Sequence, residues 1–458
     1  MTDPSHSRAL DLVRDLLADH DRWRAACTGG PRGPLPPGAR DLLRTLSARL
    51  AQESTPWPAP GHLAHMTADT PLEVTLAYLC ALLYNPNNIA PEASPVTTAL
   101  EHEVADDLCR LVGHDPTTGW AHLCSGGHAA GYEALWIARN LRGRAVRGTL
   151  LYGRNAHYAW EKAADLLGFG RGEVEVVGVG PRHRMDMADL AARVHRLSSA
   201  GRPVTAVVVT LGTTGHGAVD DLPAVLRLRE ECERTYGVSF RIHVDAAYGG
   251  YFRTVDEALL TPEVRAAFRA LPLADSVTVD PHKCGRVPYP AGALVLRDRR
   301  AVRAVSTRPG PFGADGDGER LPFAPYTLEG ARPGAAAAAV WTAHRIVGLD
   351  TGGYGRLLGG CLRAARALHE AFAAGDGPLV SRTAPDLAVV NLTTGSADSD
   401  REWSDRLRAS GVSVSSTGGA ETEVPGVRLC VMDPLAPGDL ERLTRVLGET
   451  AAGALSRV

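Results

Sequence analysis

Between about Pro71 and Gly348 the chain alternates short β-branched runs with Ala-, Leu- and Arg-rich stretches. No other feature constrains the fold as much. The runs are GTLLYG, EVEVVGVG, PVTAVVVTLG, SFRIHVDAAY, ADSVTVD and AGALVLR. Strands separated by helical stretches imply a mostly parallel sheet covered on both faces. The pattern therefore predicts a large α/β domain over 71–348. From Leu349 onward the order is helix, strand, helix, strand, helix, which predicts a small C-terminal α+β domain over 349–458. Residues 1–70 alternate helical stretches with the Pro-rich turns GGPRGPLPPGAR and STPWPAPG. This N-terminal helical segment has little core of its own and is expected to pack on the main lobe or on a second subunit.

Composition removes several function classes. The chain has 458 residues, enough for two or three lobes. It is 44% hydrophobic and 22% charged, ordinary for a folded soluble protein. The net charge is −3 and the pI about 6.6, so no electrostatic footprint for nucleic acid is present. Basic residues are almost all Arg, scattered among acids as on a solvated surface. The opening MTDPSHSRALDLVRDLLADHDRW is an amphipathic helix pattern without the apolar core of a signal peptide. No apolar stretch approaches the ~20 residues of a membrane span. The eight cysteines are dispersed, with no C-x-x-C pair. Reduced cytoplasmic thiols are expected, without disulfides, zinc or any other metal.

Five stretches could carry chemistry. In CSGGHAAGYEALWIARN, from Cys124, a Gly-rich turn opens an Ala-rich helix and can present backbone N–H groups to an anion. Alone, it reads first as an ordinary capped helix. In YGRNAHYAWEKAADLLG, His157 lies just past a strand end, where ligands bind in open α/β sheets. A lone histidine there is more often a structural hydrogen-bonder. VVVTLGTTGHGAVDDL ends a buried strand in hydroxyls that could bind a phosphate or a ring substituent, or simply bond locally within a turn. RIHVDAAYGGYF ends a buried strand in Asp245, which is costly to bury unpaired, and the small residues after it leave room for a flat ligand. A magnesium-nucleotide role for Asp245 would need a P-loop, and the chain has none.

The fifth stretch is SVTVDPHKCGRVPYPAGALVL, from Ser276 to Leu296. Lys283 follows a strand end in a turn framed by Pro281, His282 and Gly285, a rigid and closely approached backbone. Lysines that form Schiff bases need a nearby carbonyl and a lowered pKa. A surface lysine would not need such framing.

Taken together, SGGH, NAHY, LGTTG, HVDAAYGG and DPHK, in that order, resemble the pyridoxal-phosphate-dependent amino-acid decarboxylases of the aromatic and glutamate decarboxylase type (group II). LYNPNNIAPEASPVTTALEHEV and YTLEGARPGAAAAAVWTAH extend the likeness. HVDAAYGGY, VDPHKCGRVPYPAGALV and YTLEGARPGA look most like bacterial tyrosine decarboxylases. The resemblance runs from about His65 to the end of the chain. It implies a fold-type-I architecture with a seven-stranded-type sheet, a homodimer, and pyridoxal 5'-phosphate between the lobes. Lys283 would hold the cofactor and Asp245 would pair with its pyridinium nitrogen. Ala247 would pack on one ring face and His157 on the other, with a share in proton transfer. Gly126, Gly127, His128 and His282 would lie at the phosphate, and Thr214 near the ring oxygen or the lysine. The activity implied is decarboxylation of a tyrosine-like L-amino acid to its amine.

The chain departs from that family at two places. His128 stands where the family usually has Ser or Thr. The stretch STRPGPFGADGDGERLPFAPY has no tyrosine between Ser306 and Pro325, where family members carry one that returns a proton to the substrate carbon. Its nearest aromatic is Phe312, and phenylalanine has no proton to donate. In relatives called aldehyde synthases that change lets oxygen intervene, giving an aldehyde. Decarboxylation to the amine is the expected outcome, with the aldehyde-forming oxidation, another pyridoxal lyase or transferase reaction and a non-catalytic cofactor binder as alternatives.

Overall fold

Seven strands build the main sheet: β1 (Trp120–Cys124), β2 (Thr149–Gly153), β3 (Val174–Val177), β4 (Val204–Thr210), β5 (Arg241–Asp245), β6 (Ser276–Val279) and β7 (Gly292–Leu296). Their spatial order is β1-β7-β6-β5-β4-β2-β3. All neighbouring pairs are parallel except those of β7, which runs antiparallel to both β1 and β6. This is the mostly parallel α/β sheet the sequence predicts. The computed structural model describes residues 4–143, 148–306, 322–373, 377–416 and 426–455.

The apolar runs explain the two covered faces. Side chains alternate sides along a strand. On β4, Val207 and Val209 enter the larger core with Leu190, Val194 and Val225 from the helices Met187–Ser199 and Leu222–Tyr236. Ala206 and Val208 point the other way, against Leu135 and Trp160 from the helices Gly127–Leu141 and Ala159–Leu166. A second sheet follows, with β8 (Val389–Leu392) and β9 (Ser415–Ser416) flanking β10 (Val427–Cys430), all antiparallel. Buried Asp386 joins the two sheets' surroundings: it accepts from Arg184 Nε at 2.9 Å and from Val219 N–H at 3.0 Å.

Two strands are not legible as runs. β1 carries His122 at its centre, a buried imidazole whose Nε2 lies 3.2 Å from the buried Glu133 carboxylate. β9 is two residues long and exists only through its pairing with β10. In the N-terminal segment, the helix Ala39–Glu53 buries none of its residues and exposes Leu42, Leu43, Leu46 and Leu50.

The buried histidines give the fold a pH dependence. Burial lowers His114 to about 4, His216 to about 3 and His243 to about 4. In the unfolded chain each titrates near 6.5. Between those values the unfolded chain binds more protons, so stability is lost as the pH is lowered, by roughly 1.4 kcal/mol per pH unit for each histidine. Burial raises Asp220 to about 6, which works the other way and offsets one of the three. The urea unfolding midpoint should therefore drop steadily from pH 6.5 to pH 4.5, and a flat profile would count against these assignments.

Candidate active site

The candidate residues converge because most of them follow parallel strands at the same, carboxyl, edge of the sheet. Gly126, Gly127 and His128 follow β1, which runs antiparallel to β7 and so parallel to the rest. His157 follows β2, Thr214 follows β4, Asp245 ends β5, and Lys283 follows β6. Ligands of open α/β sheets collect at this edge.

Asp245 is half-buried and held in place by two donors. Trp160 Nε1–H donates to its Oδ2 at 3.1 Å and Ala247 N–H to its Oδ1 at 3.2 Å. Ala247 is buried beside it. His157 accepts from Ala159 N–H through Nδ1 at 3.2 Å, which assigns its proton to Nε2. Burial lowers this imidazole to about 4, so it is neutral at pH 7. His128 meets it edge to face, with ring centroids 4.9 Å apart at 85°. Burial lowers His128 as well, with the Lys162 and Lys283 ammonium groups adding to the effect.

Lys283 lies in a turn that only a glycine at 285 can close. A Cβ there would stand 2.6 Å from Pro281 O and 2.6 Å from the Tyr251 hydroxyl. Lys283 Nζ is 2.9 Å from Asp280 Oδ2, and His282 Nε2 is 3.6 Å from the same oxygen. Burial by itself would lower Lys283, but the Asp280 carboxylate, with smaller help from Asp245 and Tyr289, offsets it, and the ammonium is held above its ordinary range. The lowered pKa expected from sequence is therefore not found in the free lysine; the reason is a carboxylate three residues earlier in the same turn. Burial lowers His282, whose Nδ1 accepts from Ala291 N–H at 3.2 Å.

An anion can be seated beside these groups. The helix Gly127–Leu141 begins at Gly126 with no side-chain cap, so its first backbone N–H groups are open to a phosphate. A Cβ on Gly126 would come within 3.3 Å of the His282 ring, and one on Gly127 within 3.0 Å of Asp280 Oδ2. Glycines keep that approach clear. Carboxylate, amine, flat neutral imidazole and an uncapped helix start match what pyridoxal phosphate requires, so the residues present fit the cofactor.

The pyridoxal-dependent decarboxylase conserved domain matches residues 139–376. The chain belongs to the pyridoxal-dependent decarboxylase family. It is 31% identical to an L-tyrosine decarboxylase of Levilactobacillus brevis, over 79% of this chain and 72% of that protein. Its fold is similar to that of Oryza sativa TDC, solved with PLP and tryptamine, with a TM-score of 0.79 and 18% identity over 99% of each chain. A Rhodiola rosea 4-hydroxyphenylacetaldehyde synthase has a similar fold, with a TM-score of 0.75 and 18% identity over 99% of each chain. The enzyme is a pyridoxal-phosphate-dependent amino-acid decarboxylase with a fold-type-I architecture.

Other predicted positions of the decarboxylase are less closely joined. Thr214 offers its carbonyl to Arg428 Nη1 at 2.9 Å, while the neighbouring Thr213 hydroxyl accepts from Ala218 N–H within the turn, the local bond a strand-end threonine readily makes. Phe312 lies outside the described residues. Sequence reasoning missed Trp160, although it stands three residues after His157, and it gave Asp280 no role. It also missed Tyr289, whose ring lies 4.2 Å from that of His282 and whose hydroxyl is 3.0 Å from that of Thr67. No signal in the sequence joins residues so far apart. Among the described residues, no helix is long and apolar enough to cross a membrane.

Proposed function

We propose that this decarboxylase acts on an aromatic, tyrosine-like L-amino acid and releases its amine. The observation that carries the reading is the Lys283 amine and the Asp245 carboxylate at the same edge of neighbouring parallel strands. The tyrosine decarboxylase relative supports the substrate class.

When bound, pyridoxal 5'-phosphate supplies an electron sink for the bond to the departing carboxyl group. Lys283 would hold the cofactor's aldehyde carbon. Asp245, fixed by Trp160 and Ala247, would keep a proton on the ring nitrogen. Ala247 and His157 would bound the two faces of the ring; a neutral imidazole can lie flat there without opposing the charge Asp245 sets. The open N–H groups after Gly126, with Gly127, His128 and His282, would take the phosphate, and Thr214 would face the ring side. The neutral His157 can pass a proton but is a weak acid, which leaves the return of a proton to the α-carbon dependent on other donors.

The proposal extends to assembly: a cytoplasmic homodimer, with residues 1–70 at its interface, 71–348 as the cofactor domain and 349–458 as the small domain. The exposed leucines of the helix Ala39–Glu53 and an apolar groove lined by Trp23, Tyr84, Val96, Leu100 and Trp341 support it.

The test is product analysis with tyrosine, tryptophan, phenylalanine, histidine and glutamate, measuring amine, aldehyde, carbon dioxide, ammonia and peroxide. Amine with carbon dioxide and no peroxide is expected, with tyrosine the best substrate. The absence of tyrosine between Ser306 and Pro325 favours one second reading, an oxygen-dependent aldehyde synthase. Aldehyde with ammonia and peroxide would establish it, and Phe312→Tyr should then move product toward the amine. No carbon dioxide from any substrate would refute both.

A further inference from the structure

Asp280 is a buried acid to which the decarboxylation chemistry assigns no task. It is 2% exposed, and its two oxygens are used unequally. Oδ2 lies 2.9 Å from Lys283 Nζ and 3.6 Å from His282 Nε2. Oδ1 is buried with no hydrogen-bond partner, beside the bare Cα of Gly127, where a Cβ would come within 3.4 Å of it. The backbone fixes this placement. Asp280 N–H donates to Ala247 O at 3.1 Å, and Lys283 N–H donates to Asp280 O at 3.0 Å. The carboxylate and the ammonium are therefore held on one rigid turn, three residues apart.

We propose that Asp280 is a positioning residue that latches Lys283 as an ammonium ion in the cofactor-free chain, so that the amine becomes a nucleophile only when this pair is broken. The inference rests on the reading of Lys283 as the residue that holds the cofactor. An amine attacks an aldehyde through its lone pair, and an ammonium ion has none. Capture needs one proton to leave Lys283; nitrogen then bonds to the aldehyde carbon and the aldehyde oxygen departs as water. While the carboxylate stands against the ammonium at 2.9 Å, that proton is hard to remove. The other groups near Lys283 do not replace it. Asp245 and the Tyr289 phenol reinforce the ammonium less strongly than Asp280 does, and burial works against it. His128, His157 and His282 are all lowered, so none faces Lys283 as a cation at neutral pH, and the buried Cys124 and Cys284 thiols are raised. The latch holds below the ordinary lysine range and is lost as pH rises through the elevated value of Lys283.

The sequence makes the test unusually clean, because Lys162 and Lys283 are the only lysines in the chain. Lys162 is exposed and serves as the reference amine in the same molecule. The full-length, cofactor-free protein is pulsed with acetic anhydride from pH 6 to pH 11, and acetylation of each lysine is read by mass spectrometry. In wild type the labelling midpoint of Lys283 should lie above the ordinary lysine value of about 10.4. In Asp280→Asn it should move to lower pH, so that Lys283 labels several-fold faster than wild type at pH 8, while Lys162 keeps its profile. Asp280→Glu, which keeps the charge, should restore a late midpoint. Superimposable Lys283 profiles in wild type and Asp280→Asn would overturn the proposal. If Asp280→Asn does not fold, the wild-type protein decides alone, and a midpoint below 10.4 overturns it. No pyridoxal phosphate enters the labelling, so its result stands apart from whether Lys283 holds the cofactor, which Lys283→Ala decides.

Discussion

Lys283→Ala is expected to cut carbon dioxide release by about a thousandfold or more, the scale of losing a group that both positions reactants and relays protons. The substitution should also remove the visible absorbance that a lysine-bound pyridoxal gives, and borohydride should no longer fix the cofactor to the chain. The second readout separates a chemical role from a structural one. The turn that carries Lys283 is held by its own backbone, by Pro281 and by the close approach at Gly285, so removing the side chain leaves the turn intact. Circular dichroism should be unchanged. With the only other lysine at position 162, no second amine stands ready in the same turn. Retained absorbance, or more than about a tenth of wild-type activity, would refute the assignment.

The largest expected loss of stability comes from Glu101→Leu. Glu101 and Arg332 form an ion pair at 1% and 5% exposure, joining the helix Pro95–Val112 to the segment after residue 322. Glu101 also accepts from Leu123 N–H at 3.0 Å and from Asn88 Nδ2 at 2.7 Å. Arg332 donates to the carbonyls of Leu123 and Asn88, each at 2.9 Å. Leucine would leave a buried guanidinium without its counter-charge and a strand N–H without its acceptor, and would remove one of the two bonds of the Asn88 amide nitrogen. Breaking such a pair from one side costs about 3–5 kcal/mol. The loss should appear as a lowered urea midpoint. Cofactor should also be held less well, because Leu123 lies in the strand that leads into the Gly126 turn. Glu101→Leu combined with Arg332→Met should recover part of the loss, since no charge is then left unpaired. A double variant no better than the single one would mean that the carboxylate's bonds to Leu123 and Asn88 outweigh its pairing with Arg332.

Much of the site is legible in the chain's local pattern. His157, Asp245 and Lys283 each sit at a strand end marked in sequence by the stop of an apolar run, and Gly126-Gly127 are marked by the Ala-rich helix that they open. β1 escapes that pattern because His122 interrupts its run, and the Glu133 carboxylate that stands 3.2 Å from it is brought there only by folding. Trp160 escapes it because its value lies in one bond, to an acid on another strand. The meeting of Thr67 with Tyr289, and of Arg428 with the carbonyls of Thr214 and Ala64, joins distant segments for which no periodicity exists to be read.

Local pattern marked where eight of the ten described strands lie, all but β1 and β9, together with the close glycine turn at 285 and the order of motifs that places the chain among pyridoxal-dependent decarboxylases. These follow from local sterics and from apolar continuity, which act between residues adjacent along the chain. The tertiary structure alone decided the state of the groups. It set β5 beside β6, so that Asp245 and Lys283 share an edge. It made His157 neutral through burial, and it raised Lys283 where a lowered lysine was expected. Protonation follows depth below the surface and distance between charges. Both are properties of position in space, and a linear chain specifies them only once it has folded.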